Sequence, residues 1–320
     1  MSLELNGVVC SYVRKEVLHD VSFTSDARLI AVVGPNAAGK STLVKCMAGQ
    51  IPHGGSILFN GAEIGRTDQT STDTVGYLPQ QHMSAVAMTV YETILLGRLN
   101  HIRWSPSEED RRMVDHALSE LSLDQIADKQ INELSGGQLQ MISIAQALVK
   151  EPQLLLMDEP TNNLDLQKQL GMFEVVKKLS EQRGLVTVMI LHDLNLASRF
   201  ADEIVILQEG RVYAKGPAEK VFTEEMLRDV YKVDAEVVRD RDGLPHVVAY
   251  GSLRDPRNRC RRKRPIDGIE EDKACPRMSD GAAWQNSKGM PRGGATGLRH
   301  PWSGRQSARS CPSCLSTTYG

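Results

Sequence analysis

The sequence predicts an α/β fold with a mostly parallel core sheet, an N-terminal antiparallel β subdomain and a helical insert. Three continuous apolar runs, LIAVVG (29–34), LLLMDE (154–159) and LVTVMIL (185–191), are typical of buried parallel strands. Helical-looking stretches separate them, which indicates βαβ units. The first segments, LELNGVVCSY and VLHDVSF, alternate instead, and GSILFNGAEI carries the hairpin pair Asn60–Gly61, so we expect a small antiparallel sheet there.

The helical insert is predicted at about residues 84–150. Apolar residues recur every three to four positions in TVYETILLGR, PSEEDRRMVDHALSELSL and QLQMISIAQALVK, as on one face of a helix. The run Ser105-Pro106-Ser107-Glu108 supplies a cap and a start for the second of these helices.

Charge and composition divide the chain at about residue 250. The formal net charge is −2, yet residues 251–320 hold 14 Lys and Arg against 6 Asp and Glu. That segment is rich in Gly, Ser and Pro and poor in aliphatic residues, so we expect a folded domain at 1–250 and a mostly disordered basic tail at 251–320. Its RNRCRRKR run (257–264) fits either a solvated tail or contacts with anionic lipid or nucleic acid. CPSC at 311–314 lacks the second ligand pair of a zinc site.

Hydropathy and cysteine content argue against a membrane-spanning or secreted protein. The longest apolar runs are far shorter than the ~20 residues that cross a bilayer. The N-terminus, MSLELNGVVC, lacks a basic start followed by an apolar core. Six cysteines are too few for a disulfide scaffold, and we expect Cys10 and Cys46 to be reduced core residues of a cytosolic protein.

The segment GPNAAGKST fits the phosphate-binding pattern G-x-x-x-x-G-K-[ST], and it lies between a predicted strand and the predicted helix TLVKCMAG. In such a loop, backbone N–H groups and the N-terminal end of the helix face a phosphate. Lys40 would reach the β- and γ-phosphates, and the Ser41 hydroxyl would bind Mg²⁺. Ala37 stands where many such loops have glycine, and a positive φ there would cost about 1 kcal/mol. The predicted ATP-binding residues are Gly34, Pro35, Asn36, Ala37, Ala38, Gly39, Lys40, Ser41 and Thr42.

Further polar residues follow the predicted buried strands. Phosphoryl transfer to water needs a metal ion and a group that orients the water. We expect Asp158 on the metal side, in part through a water molecule, and Glu159 as general base, pointing the other way because side chains alternate along a strand. Gln80 is a candidate contact for metal or water, and His192 for the γ-phosphate. Tyr12, expected in a loop between the first strands, could stack on the base.

GPNAAGKST, Gln80, LSGGQ (134–138), LLLMDEP, NNLD (162–165) and His192 occur in the order and spacing of the ATP-binding cassette family, which residues 1 to about 250 resemble. The resemblance implies a P-loop NTPase fold and a head-to-tail dimer. In that dimer, LSGGQ of one subunit closes over the γ-phosphate held by the other. It further implies that Asp165 lies at the dimer seam and that four residues bind the partner's nucleotide: Ser135, Gly136, Gly137 and Gln138.

Longer stretches resemble the subfamily that energises importers of iron–siderophore complexes, haem and vitamin B12. These are TVYETILLGRLNHIRWSPSEED, DEPTNNLDLQKQL, LHDLNLASRFADEIVILQEGRVYAKG and GPAEKVFTEEMLRDVYKVDAEVV. The resemblance implies an ATP hydrolase that uses ATP and Mg²⁺ at the cytoplasmic face of the cell membrane. Its partners would be an identical cassette, a separate permease and, indirectly, an extracytoplasmic substrate-binding protein, with no nucleic acid. Leu139-Gln140-Met141 departs from the basic residues common after LSGGQ, and residues 251–320 match nothing in the family.

Three alternatives remain open. An exporter cassette or a manganese or zinc importer cassette shares the same motifs, although HDLNLA favours the first interpretation. A cassette that acts on ribosomes or DNA usually has two P-loops or a long coiled coil, whereas this chain has one P-loop and no long heptad run. A non-hydrolysing scaffold is disfavoured by the intact Asp158, Glu159 and His192. The sequence does not name the transported molecule.

Overall fold

A computed structural model describes residues 1–253, apart from residues 14, 67–72, 81–86, 103 and 163. Among the helices in that part of the chain, none combines the length and the apolar character needed to cross a membrane.

The described strands are β1 Leu3–Tyr12, β2 Lys15–Ser25, β3 Leu29–Val33, β4 Gly54–Phe59, β5 Ala62–Glu63, β6 Val75–Leu78, β7 Leu154–Met157, β8 Val186–Ile190, β9 Glu203–Gln208, β10 Arg211–Gly216, β11 Val233–Arg239 and β12 Pro245–Ser252. The described α-helices are α1 Lys40–Met47, α2 Val90–Leu95, α3 Glu108–Glu120, α4 Gly136–Leu148, α5 Leu166–Arg183, α6 Leu194–Phe200, α7 Ala218–Val221 and α8 Glu224–Met226. Single 3₁₀ turns lie at Leu96–Arg98, Asp124–Ile126 and Ile131–Glu133, and a π-helical turn at Leu227–Tyr231.

The central sheet has the strand order β10-β9-β3-β8-β7-β6. The pairs β9–β3, β3–β8, β8–β7 and β7–β6 are parallel, and β10 pairs antiparallel with β9 at the edge. The three apolar runs form β3, β7 and β8, whose residues are all buried. The predicted parallel core is therefore confirmed, because strands covered on both faces can be apolar throughout.

The second sheet is antiparallel, with the strand order β2-β1-β4-β5. Its alternating sequence pattern reflects one buried and one more exposed face, and Asn60–Gly61 forms the turn between β4 and β5 with positive φ at both residues. The predicted N-terminal antiparallel subdomain is confirmed. Cys10 and Cys46 are free and buried, as expected of core residues.

The central sheet separates two apolar clusters. Ala31 and Val33 of β3 face the cluster formed with α3, α4, α5 and α6. Ile30 and Val32 face the cluster formed with α1 and the antiparallel sheet. This alternation, which follows from the two-residue period of a strand, holds the carboxyl end of β3 between two packed layers. The loop after β3 is thereby fixed from both sides.

Helices occupy the predicted insert. Helix α3 begins after Ser107, whose hydroxyl accepts from the Asp110 amide while the Asp110 side chain accepts from the Ser107 amide. Hydrogen bonds from Ser107, and then the Arg98 guanidinium 2.6 Å away, lower the pKa of the buried Asp110 carboxyl to about 2. This ion pair ties the 3₁₀ turn after α2 to the start of α3.

The C-terminal end of the described chain is a separate hairpin, β11–β12. Strand β12 continues to Ser252, two residues beyond the predicted boundary at 250. The basic run, CPSC and the rest of the predicted tail lie outside the described residues, so the division into domain and tail stays a prediction.

Candidate functional site

The P-loop connects β3 to α1, as the sequence predicts. Gly34 has φ +148°, and a Cβ there would lie 2.2 Å from the Leu207 carbonyl oxygen, so only glycine fits. Gly39 has φ +98°, and a Cβ would lie 2.8 Å from a Leu18 methyl carbon. Ala37 has φ +64°, so this position does require the left-handed conformation that the sequence left open. The loop is thus held in shape by the chain around it.

Lys40 lies at the start of α1 with its side chain almost fully buried. Its ammonium donates to the carbonyl oxygens of Gly34 (2.8 Å) and Pro35 (3.0 Å). Burial lowers the pKa of Lys40, although the nearby carboxylates of Glu159 and Asp158 partly offset this. A cation aimed at the loop interior is the arrangement that would meet a phosphate.

Ser41 and Asp158 form the next contact. The Ser41 hydroxyl donates to Asp158 Oδ1 over 2.9 Å. Asp158 is 1% exposed, and burial raises the pKa of its carboxyl against the opposing effect of the Ser41 hydrogen bond. A hydroxyl and a carboxylate are hard oxygen ligands, which suit Mg²⁺. A bound cation would also stabilise the charged form of the buried Asp158 carboxyl.

Glu159 is the centre of the hydrogen-bond network. Its Oε2 accepts from Gln80 Nε2 (2.5 Å) and Asn162 Nδ2 (2.6 Å), and its Oε1 lies 2.6 Å from His192 Nε2. Burial would raise the pKa of Glu159, but the hydrogen bonds from Asn162 and His192 outweigh it and lower the pKa. Glu159 is therefore a carboxylate at neutral pH.

The reason given for the direction of Glu159 was wrong. Strand β7 ends at Met157, so neither Asp158 nor Glu159 continues its alternation. Glu159 instead has φ +53°, a left-handed conformation that is costly for a residue with a side chain. This turn separates the two carboxylates, sending Asp158 to Ser41 and Glu159 to His192.

A cavity of about 410 Å³ lies in front of the P-loop and is bordered on its far side by β2. Tyr12 was predicted in a loop, which was wrong, since it is the last residue of β1 and pairs with Lys15. Lys15 lines the cavity and Tyr12 does not. The lining residues are Lys15, Glu16, Val17, His19, Asn36, Ala37, Ala38, Gly39, Lys40, Ser41, Thr42, Glu159, Glu209 and Gly210.

The LSGGQ residues lie away from this cavity. Helix α4 begins at Gly136, earlier than the predicted run QLQMISIAQALVK, so both glycines are helical. Ser135 and Gln138 form a capping box: Ser135 Oγ accepts from the Gln138 amide (3.4 Å), and Gln138 Oε1 from the Ser135 amide (3.0 Å). A Cβ at Gly136 would meet nothing within 4 Å. Ser135, Gly137 and Gln138 border a second, mainly apolar cavity, which Leu164 and Lys168 also line.

Asn162 and Asp165, which follow Glu159 in the sequence, both make contacts within this chain. Asp165 caps α5, accepting from the Lys168 amide over 3.0 Å, and forms an exposed ion pair with the Lys168 ammonium. Asn162 was missed as a partner of Glu159. The signal in the sequence was its position three residues after Glu159. In the structure a hydrogen bond from the Asn162 amide to the Glu159 carbonyl closes a turn between the two residues.

The fold and this arrangement define a P-loop nucleotide-binding protein. The ABC transporter family model matches residues 18–162. An uncharacterised ABC transporter ATP-binding protein of Methanocaldococcus jannaschii is 40% identical over 78% of this chain and 99% of its own. The iron(3+)-hydroxamate import ATP-binding protein FhuC of Bacillus subtilis is 33% identical over 79% and 97%. The chain therefore belongs to the ABC transporter ATP-binding family and is an ATP-binding ATPase of that family.

A further relative and two solved structures are also ABC transporter proteins. A hemin import ATP-binding protein of Bradyrhizobium diazoefficiens is 36% identical over 73% of this chain and 90% of its own. A transporter described as the metal-chelate type, solved in an inward-facing conformation, aligns with a TM-score of 0.68 at 26% identity, covering 78% of this chain and 97% of that chain. A dimeric bacterial ABC transporter cassette aligns with a TM-score of 0.59 at 27% identity, covering 67% and 98%.

Proposed function

We propose that the chain hydrolyses ATP at the P-loop with Glu159 as the general base, and thereby drives import of an iron complex, haem or cobalamin through a separate permease. The observation that carries the catalytic part is the bonding of the Glu159 carboxylate. A carboxylate offers about four acceptor positions. Gln80, Asn162 and His192 use three of them, which leaves one on Oε1 for a water molecule.

In this mechanism Lys40 turns from the Gly34 and Pro35 carbonyls to the phosphates of ATP. Glu159 takes a proton from the water molecule while the water oxygen bonds to the γ-phosphorus. The bond between the γ-phosphorus and the bridging oxygen breaks, and that oxygen leaves with ADP. His192 holds the Glu159 carboxylate and can reach the γ-phosphate. Bound Mg²⁺ would neutralise phosphate charge, and Ser41, Asp158 and Gln80 are the residues that would hold it.

The signature residues support a dimeric site. Glycine at 136 weakens the start of a helix, and nothing within the described chain requires it, since its face is open. A requirement from outside the chain would explain it: close approach of a partner cassette's nucleotide. We infer that Ser135, Gly136, Gly137 and Gln138 serve the partner's ATP, with Asp165 at the seam of a head-to-tail homodimer.

The permease would dock on the helical insert. A groove of about 370 Å³ between α1, β6 and α4 is lined in part by Tyr77, Gly97 and Asn100. Close in sequence to Asn100, Leu99 and Trp104 are strongly exposed, and Trp104 is fully so. Exposed apolar groups that flank a groove are typical of protein interfaces. We infer that the chain binds the permease at the cytoplasmic face of the membrane, where ATP is available.

Transport of an iron complex, haem or cobalamin is proposed from the relatives. Relatives of the chain are named as import ATP-binding proteins for iron(3+)-hydroxamate, for hemin and, in Halobacterium salinarum, for cobalamin. The binding protein of such a system would meet this chain only through the permease.

The test uses the Glu159→Gln variant. It should bind ATP with wild-type affinity while kcat falls at least ~100-fold, because a proton acceptor is lost. Near-normal ATPase would remove Glu159 as the base. The ATP-trapped variant, purified from solubilised host membranes, should carry a multi-spanning permease in stoichiometric amount, identified by mass spectrometry.

A second variant checks the docking surface. Trp104→Ala in the Glu159→Gln background should lower permease recovery, whereas Tyr213→Ala, at another exposed aromatic residue, should not. Recovery of ribosomal or DNA-bound partners alone would refute the transport assignment and leave the hydrolytic one. If a permease is recovered, its binding protein is tested next with iron chelates, haem and cobalamin.

A further inference from the structure

The hairpin β11–β12 pairs with no other strand among the described residues, yet one edge of it is occupied. Val247 pairs with Val237 across the hairpin, and the other edge of β12 faces α6. Asn195 of α6 donates from Nδ2 to the Val247 carbonyl (3.2 Å) and accepts at Oδ1 from the Val247 amide (2.7 Å). One side chain thus satisfies the two backbone groups that a neighbouring strand would otherwise satisfy.

A second contact lies one helical turn further along. The Ser198 hydroxyl donates to the Pro245 carbonyl over 2.7 Å, and Ser198 is buried. Asn195 and Ser198 are three positions apart, so they share one face of α6. Losing either would leave backbone groups of β12 unpaired in a poorly hydrated contact.

Helix α6 begins directly after His192. Asp193 caps it, accepting from the amides of Asn195 (2.8 Å) and Leu196 (3.1 Å). The opposite face of α6 packs on the core, where the Phe200 ring stacks on Phe173 with centroids 4.5 Å apart. The helix is therefore held from two sides, by the core and by the hairpin.

His192 is held at one point of its ring. Its side chain is 42% exposed, and its contact within the described residues is the 2.6 Å bond to Glu159. The other determinant of the position of the imidazole is its backbone, which leads into α6. The turn that leads into β11 also lies next to the P-loop, because Tyr231 borders the same cavity as Pro35 and Ala37.

We propose that Asn195 and Ser198 are positioning residues for ATP hydrolysis: through them the C-terminal hairpin fixes α6 and hence the His192 imidazole against Glu159. This rests on the proposed hydrolytic role of Glu159 and His192.

The experiment measures kcat and KM for ATP of the full chain carrying Asn195→Ala, Asn195→Asp or Ser198→Ala. A small displacement of a catalytic group costs up to ~100-fold in rate, and we expect kcat to fall about tenfold for Asn195→Ala with KM unchanged. Asn195→Asp keeps the acceptor for the Val247 amide but sets a carboxylate against the Val247 carbonyl, so it should not restore the rate. Tyr250→Phe, which removes an exposed bond to Glu236 within the hairpin, is the matched control and should keep wild-type kcat.

Two readouts separate positioning from misfolding. In the Glu159→Gln background, Asn195→Ala should bind ATP with unchanged stoichiometry and Kd, which counts folded sites. In chain labelled with ¹⁵N-histidine, the resonance of His192 Nε2–H, assigned by its loss in His192→Gln, should shift in Asn195→Ala and stay in place in Tyr250→Phe. Wild-type kcat and an unshifted resonance in Asn195→Ala would overturn the proposal, as would a loss of ATP-binding stoichiometry. Neither result would touch the role of Glu159, which fails only if Glu159→Gln retains ATPase.

Discussion

Two glycine-containing turns that precede helices, the P-loop before α1 and LSGGQ before α4, differ in what constrains them. At the P-loop the constraint comes from this chain. A Cβ at Gly34 would lie 2.2 Å from the Leu207 carbonyl oxygen, and the buried Lys40 ammonium donates to a carbonyl oxygen of the loop itself. At LSGGQ, a Cβ at Gly137 would meet only the flexible Lys168 side chain, at 2.6 Å from its Cδ, and Gly136 faces open space. The P-loop is therefore constrained by the backbone around it, whereas nothing among the described residues requires glycine at 136, which is the reason for the proposed partner there.

The largest test of this difference is Gly34→Ala. With no room for a Cβ beside backbone, we expect a loss of about 4 kcal/mol or more in the free energy of unfolding, as for the most severe single substitutions. Chemical denaturation of the full chain measures it. A stable Gly34→Ala protein that still binds ATP would show that the P-loop is not fixed by its surroundings.

Gly136→Ala is the matched variant. A Cβ there has free space, so stability should change by less than ~1 kcal/mol in either direction. ATPase should nevertheless fall, because the constraint is the partner's nucleotide. Unchanged ATPase would remove the reason for expecting a partner at this turn.

Ser135→Arg should affect assembly more than folding. Losing the helix cap costs about 1 kcal/mol, while the bulk of arginine should block closure over the partner's ATP and lower kcat ~100-fold or more. Monomers should still bind ATP at their own P-loop. Ser107→Ala, which removes the corresponding cap of α3, should cost similar stability and keep the ATPase activity. A stable ATP-bound dimer of Ser135→Arg, seen by size exclusion with light scattering, would contradict the shared site.

Asp158→Asn should raise stability and abolish function. Because burial raises the pKa of Asp158, its charged form destabilises the fold at pH values above that pKa. The asparagine variant should therefore have a higher Tm than the wild type near pH 7, with the difference vanishing as the pH falls below the pKa of Asp158 in the unfolded chain. Asp165→Asn should go the other way, since the Lys168 contacts lower the pKa of Asp165. Equal and unchanged Tm values for both variants would show that burial of Asp158 carries no cost.

The smallest effect is expected from Ala37→Gly. Ala37 has φ +64°, so glycine should relieve up to ~1 kcal/mol of backbone strain, less its own chain entropy. Ser122→Gly, at φ +55° on the exposed surface, is the control and should gain a similar amount. A loss of stability for Ala37→Gly alone would mean that the alanine methyl packs in the loop.

The sequence was sufficient for the core strands β3, β7 and β8, the N-terminal antiparallel strands, the insert helices and the P-loop, because each is a local pattern. The C-terminal hairpin was not predicted. The sequence failed to explain the direction of Glu159. Strand alternation does not apply there, because β7 ends at Met157 and Glu159 has a positive φ. Tyr12 was misplaced because nothing local marks that β1 runs on to it. The contact between Asn195 and Val247 joins residues 52 positions apart. Nothing in the segment HDLN indicates which backbone groups the Asn195 side chain would bond.

The buried ammonium of Lys40 has a calorimetric consequence. It donates to two carbonyl oxygens of the loop itself. Binding of phosphate therefore exchanges hydrogen bonds rather than adding them, and the net count at this side chain changes little. The enthalpy released at the P-loop should accordingly be smaller than the number of phosphate contacts suggests, with displaced water and ordered loop atoms dominating the temperature dependence of affinity.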